Sequence, residues 1–122
     1  MADAQECAGG ETLIFACSGA ADVGAISDWA ARKMTRDGVG KMFCLAGVGG
    51  QVEGIVNKTK AASKVLAIDG CSLDCARRCL DQAGVTDFVH VRITDLGMEK
   101  GQTPPTDANV LSVTEAISPL LG

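Results

Sequence analysis

Four short apolar runs recur along the chain: residues 12–16 (TLIFA), 41–45 (KMFCL), 64–68 (KVLAI) and 88–93 (FVHVRI). Each is nearly continuous in its hydrophobicity, the pattern of a strand covered on both faces. Between them, apolar residues recur at spacings of three and four. From Asp22 to Arg36 the helical face is Val23, Ile26, Ala30 and Met34, with Gly38 beyond as a stop. Residues 73–83 put Leu73, Ala76, Leu80 and Ala83 on one face, with Gly84 as the cap. Residues 107–120 repeat the pattern with Val110, Val113, Ile117 and Leu120 after the Pro104-Pro105 break. Residues 51–62 form a weaker helix, because Gly54 and Asn57 are poor formers.

Strands alternating with helices predict an α/β fold. We expect a small three-layer, Rossmann-like domain whose mostly parallel, four-stranded sheet runs in the order 2-1-3-4. Residues 1–11 read as a polar, flexible tail and residues 12–122 as the single domain.

Composition sharpens this picture. Of 122 residues, 47% are hydrophobic, yet there are only three Phe, one Trp and no Tyr, so the core must be aliphatic. The net charge of −4 leaves no basic footprint for nucleic acid or anionic lipid. The opening MADAQECAGGET is acidic and lacks the apolar stretch of a signal peptide. No run approaches the length of a membrane span. The expectation is a cytoplasmic protein binding neither nucleic acid nor membrane, with a protein partner, a small anion at the sheet edge and a homo-oligomer left open.

The six cysteines carry the candidate chemistry. Without an export signal they are expected to be reduced, as metal ligands, redox thiols or core filler. Cys17, Cys44 and Cys71 are spaced 27 residues apart, which places each at or just past the carboxyl end of a predicted strand. In an open α/β sheet that edge is where ligands bind. In the stretch IDGCSLDCARRC (residues 68–79), Ser72 is the expected N-cap, putting Cys75 at the third helical position and on the same rim. Cys79, one turn further on, falls on the core side, and Cys7 lies in the tail. Four thiolates from Cys17, Cys44, Cys71 and Cys75 suit one tetrahedral Zn²⁺ per chain. The C-x3-C spacing is not the C-x2-C of zinc knuckles, and it is looser than typical iron–sulfur clusters.

Other motifs carry less. GVGG (residues 47–50) lacks the third glycine of a dinucleotide loop and the Lys-Ser/Thr of a P-loop, so a tight turn is expected. CSGAADVG (residues 17–24) has no arginine to hold phosphate, which discounts a thiol phosphatase. His90 reads as a satisfied core histidine, Asp95 as a turn or orienting residue, and Arg77 and Arg78 with Asp74 and Asp81 as a solvated helix face.

The Asp69-Gly70-Cys71 motif followed by Cys75, with CSGAADVG and FCLAGVGG (residues 43–50), closely resembles the DGC-domain family. The likeness runs from Leu13 to TDLGMEKG (residues 94–101). It implies zinc chelation by Cys17, Cys44, Cys71 and Cys75, and it implies no assigned activity. Two readings compete: a metal-binding module, or a thiol redox or transfer enzyme using Cys75 or Cys71 at a helix N-terminus. An iron–sulfur protein is a third. The absence of a positioned catalytic partner for the thiols favours a module over an enzyme.

Overall fold

The computed structural model describes residues 11–122. Strand β1 (Thr12–Ala16) leads into helix α1 (Asp22–Arg36), strand β2 (Lys41–Met42), the short helix α2 (Leu45–Gly49) and helix α3 (Glu53–Ala61). Then follow β3 (Lys64–Asp69), α4 (Cys75–Gln82), β4 (Val89–Arg92), a 3-10 turn (Ile93–Leu96), α5 (Asp107–Ile117) and a closing 3-10 turn (Ser118–Leu121). All strand pairs are parallel and the order is β2-β1-β3-β4, as the sequence predicts.

Alternate residues of the central strands feed two cores, because successive side chains point to opposite faces. Ile14, Leu66, Ile68 and Val91 pack under α1 and α5 with Val23, Ile26, Met34, Val113 and Ile117. Leu13, Phe15 and Ala67 pack on the other face with Val48, Ala76 and Leu80 from α2 and α4. This is the three-layer arrangement, and each buried Leu, Ile, Val or Phe is worth about 1.5–3 kcal/mol of transfer free energy.

Several element boundaries differ from expectation. The second strand is only two residues long. The Phe43 N–H still reaches the Ile14 carbonyl (2.9 Å), but the Cys44 thiol then accepts from Gly47 N–H (3.3 Å) and starts a helix. GVGG is therefore not an isolated turn: Gly47, Val48 and Gly49 lie in α2, and Gly50 is its C-cap. The next helix begins at Cys75 with Asp74 as N-cap, not at Ser72. Residues 71–74 form a turn closed by Asp74 N–H to the Cys71 carbonyl (3.1 Å), and the left-handed Asp74 (φ 53°) separates it from the helix. Leu73 is thereby turned out to solvent, 60% exposed, and leaves the core face the periodicity gave it.

The expected tail falls mostly outside the described residues. Glu11 is described: its carboxylate meets Lys58 (3.3 Å) and its carbonyl accepts from Ser63 N–H (3.2 Å).

Candidate functional site

From β1 the chain moves outward to β2 on one side, and from β3 to β4 on the other. The crevice between the ends of β1 and β3 is therefore the topological switch point, the usual ligand position in such a sheet. Cys17 directly follows β1 and Cys71 lies two residues past β3. Cys44 lies two residues past β2, and Cys75 is the first residue of α4.

The thiols have distinct surroundings. The Cys17 sulfur accepts from Gly70 N–H (3.3 Å), across the switch point, and lies 3.2 Å from the Ser27 hydroxyl. Ser27 spends its one hydrogen on the Gly24 carbonyl (2.7 Å), so a neutral Cys17 donates its own to Ser27. Cys71 faces Lys100, whose Nζ lies 3.7 Å from its sulfur. Cys44 and Cys75 are exposed, and Cys17 and Cys71 are partly buried.

The four rim thiols are not drawn into one cluster. Among the described residues no three cysteine sulfurs lie within 4.8 Å of one another. Cys79 is partly buried against the α2/α4 core, with Gly49 beside its sulfur. Burial pushes the Cys79 thiol above its ordinary pKa, and the like charges of Cys75 and Asp69 add to this. Cys7 lies outside the described residues.

Beneath α4 lies a polar cluster that the sequence reading did not assemble. The Asp69 carboxylate, only 1% exposed, accepts from Ala76 N–H (2.7 Å) and Arg77 N–H (3.1 Å) and meets His90 Nε2 at 2.8 Å. Asp74 is also buried and is held by Arg92 through Nε (2.9 Å) and Nη2 (2.6 Å), with Arg77 Nε and Nη2 at 3.3 Å. The Arg92 hydrogen bond holds the Asp74 carboxyl below its usual range, and Asp74 in turn raises the Arg92 pKa. Asp74 is therefore no part of a solvated helix face. Asp95 completes the outer rim, 3.2 Å from Arg92 Nη1. Ligand atoms of Asp69, Asp74 and His90 lie within 4.8 Å of one another. The Asp69 carboxylate already accepts from two backbone N–H groups and faces His90, and the Asp74 carboxylate is held by two arginines, so the cluster is a structural network. A signal was present: His90 and Arg92 alternate on an otherwise apolar strand, facing the same side as Asp69, and Asp69 and Arg92 are register partners.

Fold and rim define a small doubly wound α/β protein with thiols at its switch point. The family model for the DGC domain matches residues 13–117, and the chain belongs to the DGC domain family. It is also similar to the anaerobic and virulence modulator AnvM of Pseudomonas aeruginosa, with 34% identity over 88 residues, 72% of this chain and 67% of that protein. No solved structure matches the chain. No helix among the described residues is long and apolar enough to cross a membrane.

Proposed function

We propose that this protein is a zinc-binding module whose ligands are Cys17, Cys44, Cys71 and Cys75. The observation that carries the reading is the position of the four residues: they follow three parallel strands at one edge, and Cys17 and Cys71 flank the switch point. The donor chemistry suits the ion. Thiolates are soft ligands of the kind zinc takes, and the sulfurs of Cys17 and Cys44 are oriented by the N–H groups of Gly70 and Gly47. A tetrahedral ion needs the four sulfurs closer together than the structure places them, so the loops after β1, β2 and β3 would have to draw in around it.

A thiol enzyme is less well supported. The N-terminal N–H groups of α4 that would stabilise a thiolate at Cys75 are already occupied by Asp69. A modulating role, as the name of the Pseudomonas relative states for that protein, needs no catalytic group and suits a metal-carrying module in a cytoplasmic setting.

Metal analysis of protein purified without added metal tests the reading. One zinc per chain and a colourless solution are expected. Replacing Cys17, Cys44, Cys71 or Cys75 with Ser should each lower zinc affinity sharply, while Cys7→Ser leaves it unchanged. Iron with acid-labile sulfide would move the assignment to a cluster, and metal-free folded protein would remove both. Retained zinc in Cys44→Ser together with loss in Cys79→Ala would replace the ligand set.

A further inference from the structure

The first turn of α4 is capped from outside its own segment. Asp74, the residue at the N-cap position, gives no side-chain cap: its backbone is left-handed (φ 53°, ψ 47°) and its carboxylate is turned to Arg92 and Arg77. The two N–H groups a cap would satisfy, those of Ala76 and Arg77, are taken by the two oxygens of Asp69, the last residue of β3. The backbone of Asp69 is anchored in the sheet by its pairing with Arg92, and His90 fixes the orientation of its carboxylate.

The intervening loop is thus held at both ends. Gly70 N–H donates to the Cys17 sulfur, and a side chain at Gly70 would meet the backbone of Val23 and Gly24 at 2.8 Å. Cys71 begins the tight turn to Asp74, and Cys75 opens the helix that Asp69 holds.

We infer that Asp69, the aspartate of the Asp-Gly-Cys signature, is the positioning residue of the thiol rim. Its carboxylate bridge sets the height and direction of α4 above β3, and so the placement of Cys75 relative to Cys71 and Cys17. This deepens the zinc reading and rests on it only for the metal-based measurement below.

Cobalt(II)-loaded protein supplies that measurement through its thiolate-to-metal absorption. Asp69→Asn keeps the side-chain volume but offers one oxygen instead of two. It should lose roughly a quarter of the band, one ligand of four. Zinc affinity should fall about 10–100-fold, the usual effect of disturbing the groups that orient ligands. Asp74→Asn, which breaks the arginine network but leaves the α4 cap in place, should keep the full band even if less stable. A folded Asp69→Asn with an unchanged band and affinity would overturn the inference.

Should the wild-type chain give no thiolate band, the zinc reading falls and the positioning role is judged on metal-free protein. Amide exchange at Ala76 and Arg77, normally fast in a first helical turn, should be slow at both in the wild type and fast at one or both in Asp69→Asn, which keeps a single acceptor oxygen. Equal rates in the two would sink the idea. If Asp69→Asn does not fold, the wild type alone decides: unprotected Ala76 and Arg77 amides would show that no cap is in place.

Discussion

Asp74 and Arg92 meet side by side, with Oδ1 on Nε at 2.9 Å and Oδ2 on Nη2 at 2.6 Å. Arg92 lies in β4 and Asp74 opens α4, so this pair ties the edge strand to the helix that carries Cys75.

The pair gives stability a definite pH dependence. Arg92 lowers the folded-state pKa of Asp74 below the unfolded value. The folded state therefore binds this proton less readily, so its contribution is complete above the unfolded pKa of ~3.9 and fades as pH falls through the folded one. Urea unfolding between pH 7 and pH 2 should show stability falling at the acid end. Asp74→Asn should be less stable at neutral pH and should lose part of that acid dependence. An unchanged acid profile in Asp74→Asn would show that the pair contributes nothing measurable.

A second carboxylate holds the segment that brings Lys100 to Cys71. Asp22 accepts from its neighbour Val23 N–H (2.7 Å), and also from Gly101 N–H (2.9 Å) and Thr103 N–H (3.0 Å), far along the chain. The Gly101 and Thr103 bonds, foremost among the causes, lower its pKa. Asp22→Ala should loosen residues 99–105 and make cleavage after Lys100 by trypsin severalfold faster, with α1 otherwise intact. Equal cleavage rates would show that the loop is held by something else.

Two glycines with opposite surroundings predict opposite signs. A Cβ on Gly70 would meet Gly24 N and the Val23 carbonyl carbon at 2.8 Å, main-chain atoms that cannot swing aside. Gly70→Ala should therefore cost about 1–3 kcal/mol, as overpacking does. Gly54 sits in α3 with nothing within 4 Å of its added Cβ. Gly54→Ala should stabilise by about 0.5–1 kcal/mol through helix propensity. Thermal or urea unfolding of the two variants measures both, and a shared sign would refute the packing account.

Much of this architecture was legible in the sequence, and the exceptions share a cause. The bounds of β1 and α1 follow from apolar runs and 3.6-residue periodicity, which are local signals. The parallel order follows from the alternation of elements. The run KMFCL is ambiguous by itself, because a short apolar stretch suits a strand or a helix start. The Cys44 thiol, acting as a cap, tips its second half to helix. Leu73 leaves the face its spacing predicts because the left-handed Asp74 breaks the periodicity. The start of α4 differs from the expected Ser72 because its cap comes from Asp69, outside the window in which capping patterns are read. The rim positions of Cys17, Cys44, Cys71 and Cys75 were legible from spacing. The buried pairing of Asp69, His90, Asp74 and Arg92 was not, since it depends on strand register.

Cys79 separates thiol chemistry from packing. Its pKa is raised chiefly by burial, with Cys75 and Asp69 opposing the charged form further. In metal-free protein it should need a higher pH to alkylate than a free cysteine, and mass mapping of labelled peptides over pH 6–10 reads this directly. Cys79→Ala should leave zinc bound and cost on the order of 1 kcal/mol for the small volume lost against the α2/α4 core and Gly49. A fast-reacting Cys79 would show that the α2/α4 interface is open.

Chelation distinguishes a structural zinc module from a thiol enzyme. The four proposed ligands come from three strand–helix units, so one ion would cross-link loops far apart in sequence. An unfolded chain has no preformed site, so much of the binding free energy should appear as folding stability. A strong chelator should lower the melting temperature markedly and release four thiols together. Removing the ion also removes the charge that lets four thiolates stand close, so some must protonate or the rim must spread. The enzyme reading expects a fold indifferent to chelator and one thiol, Cys75 at its helix start, alkylating at mildly acidic pH well before the rest. The Asp69 carboxylate already holds the N–H groups that such a thiolate would use, which is why the first outcome is expected. Melting temperature and alkylation rate, each measured with and without chelator, decide between them. A chelator-insensitive melt with a single fast thiol would replace the zinc module with the enzyme.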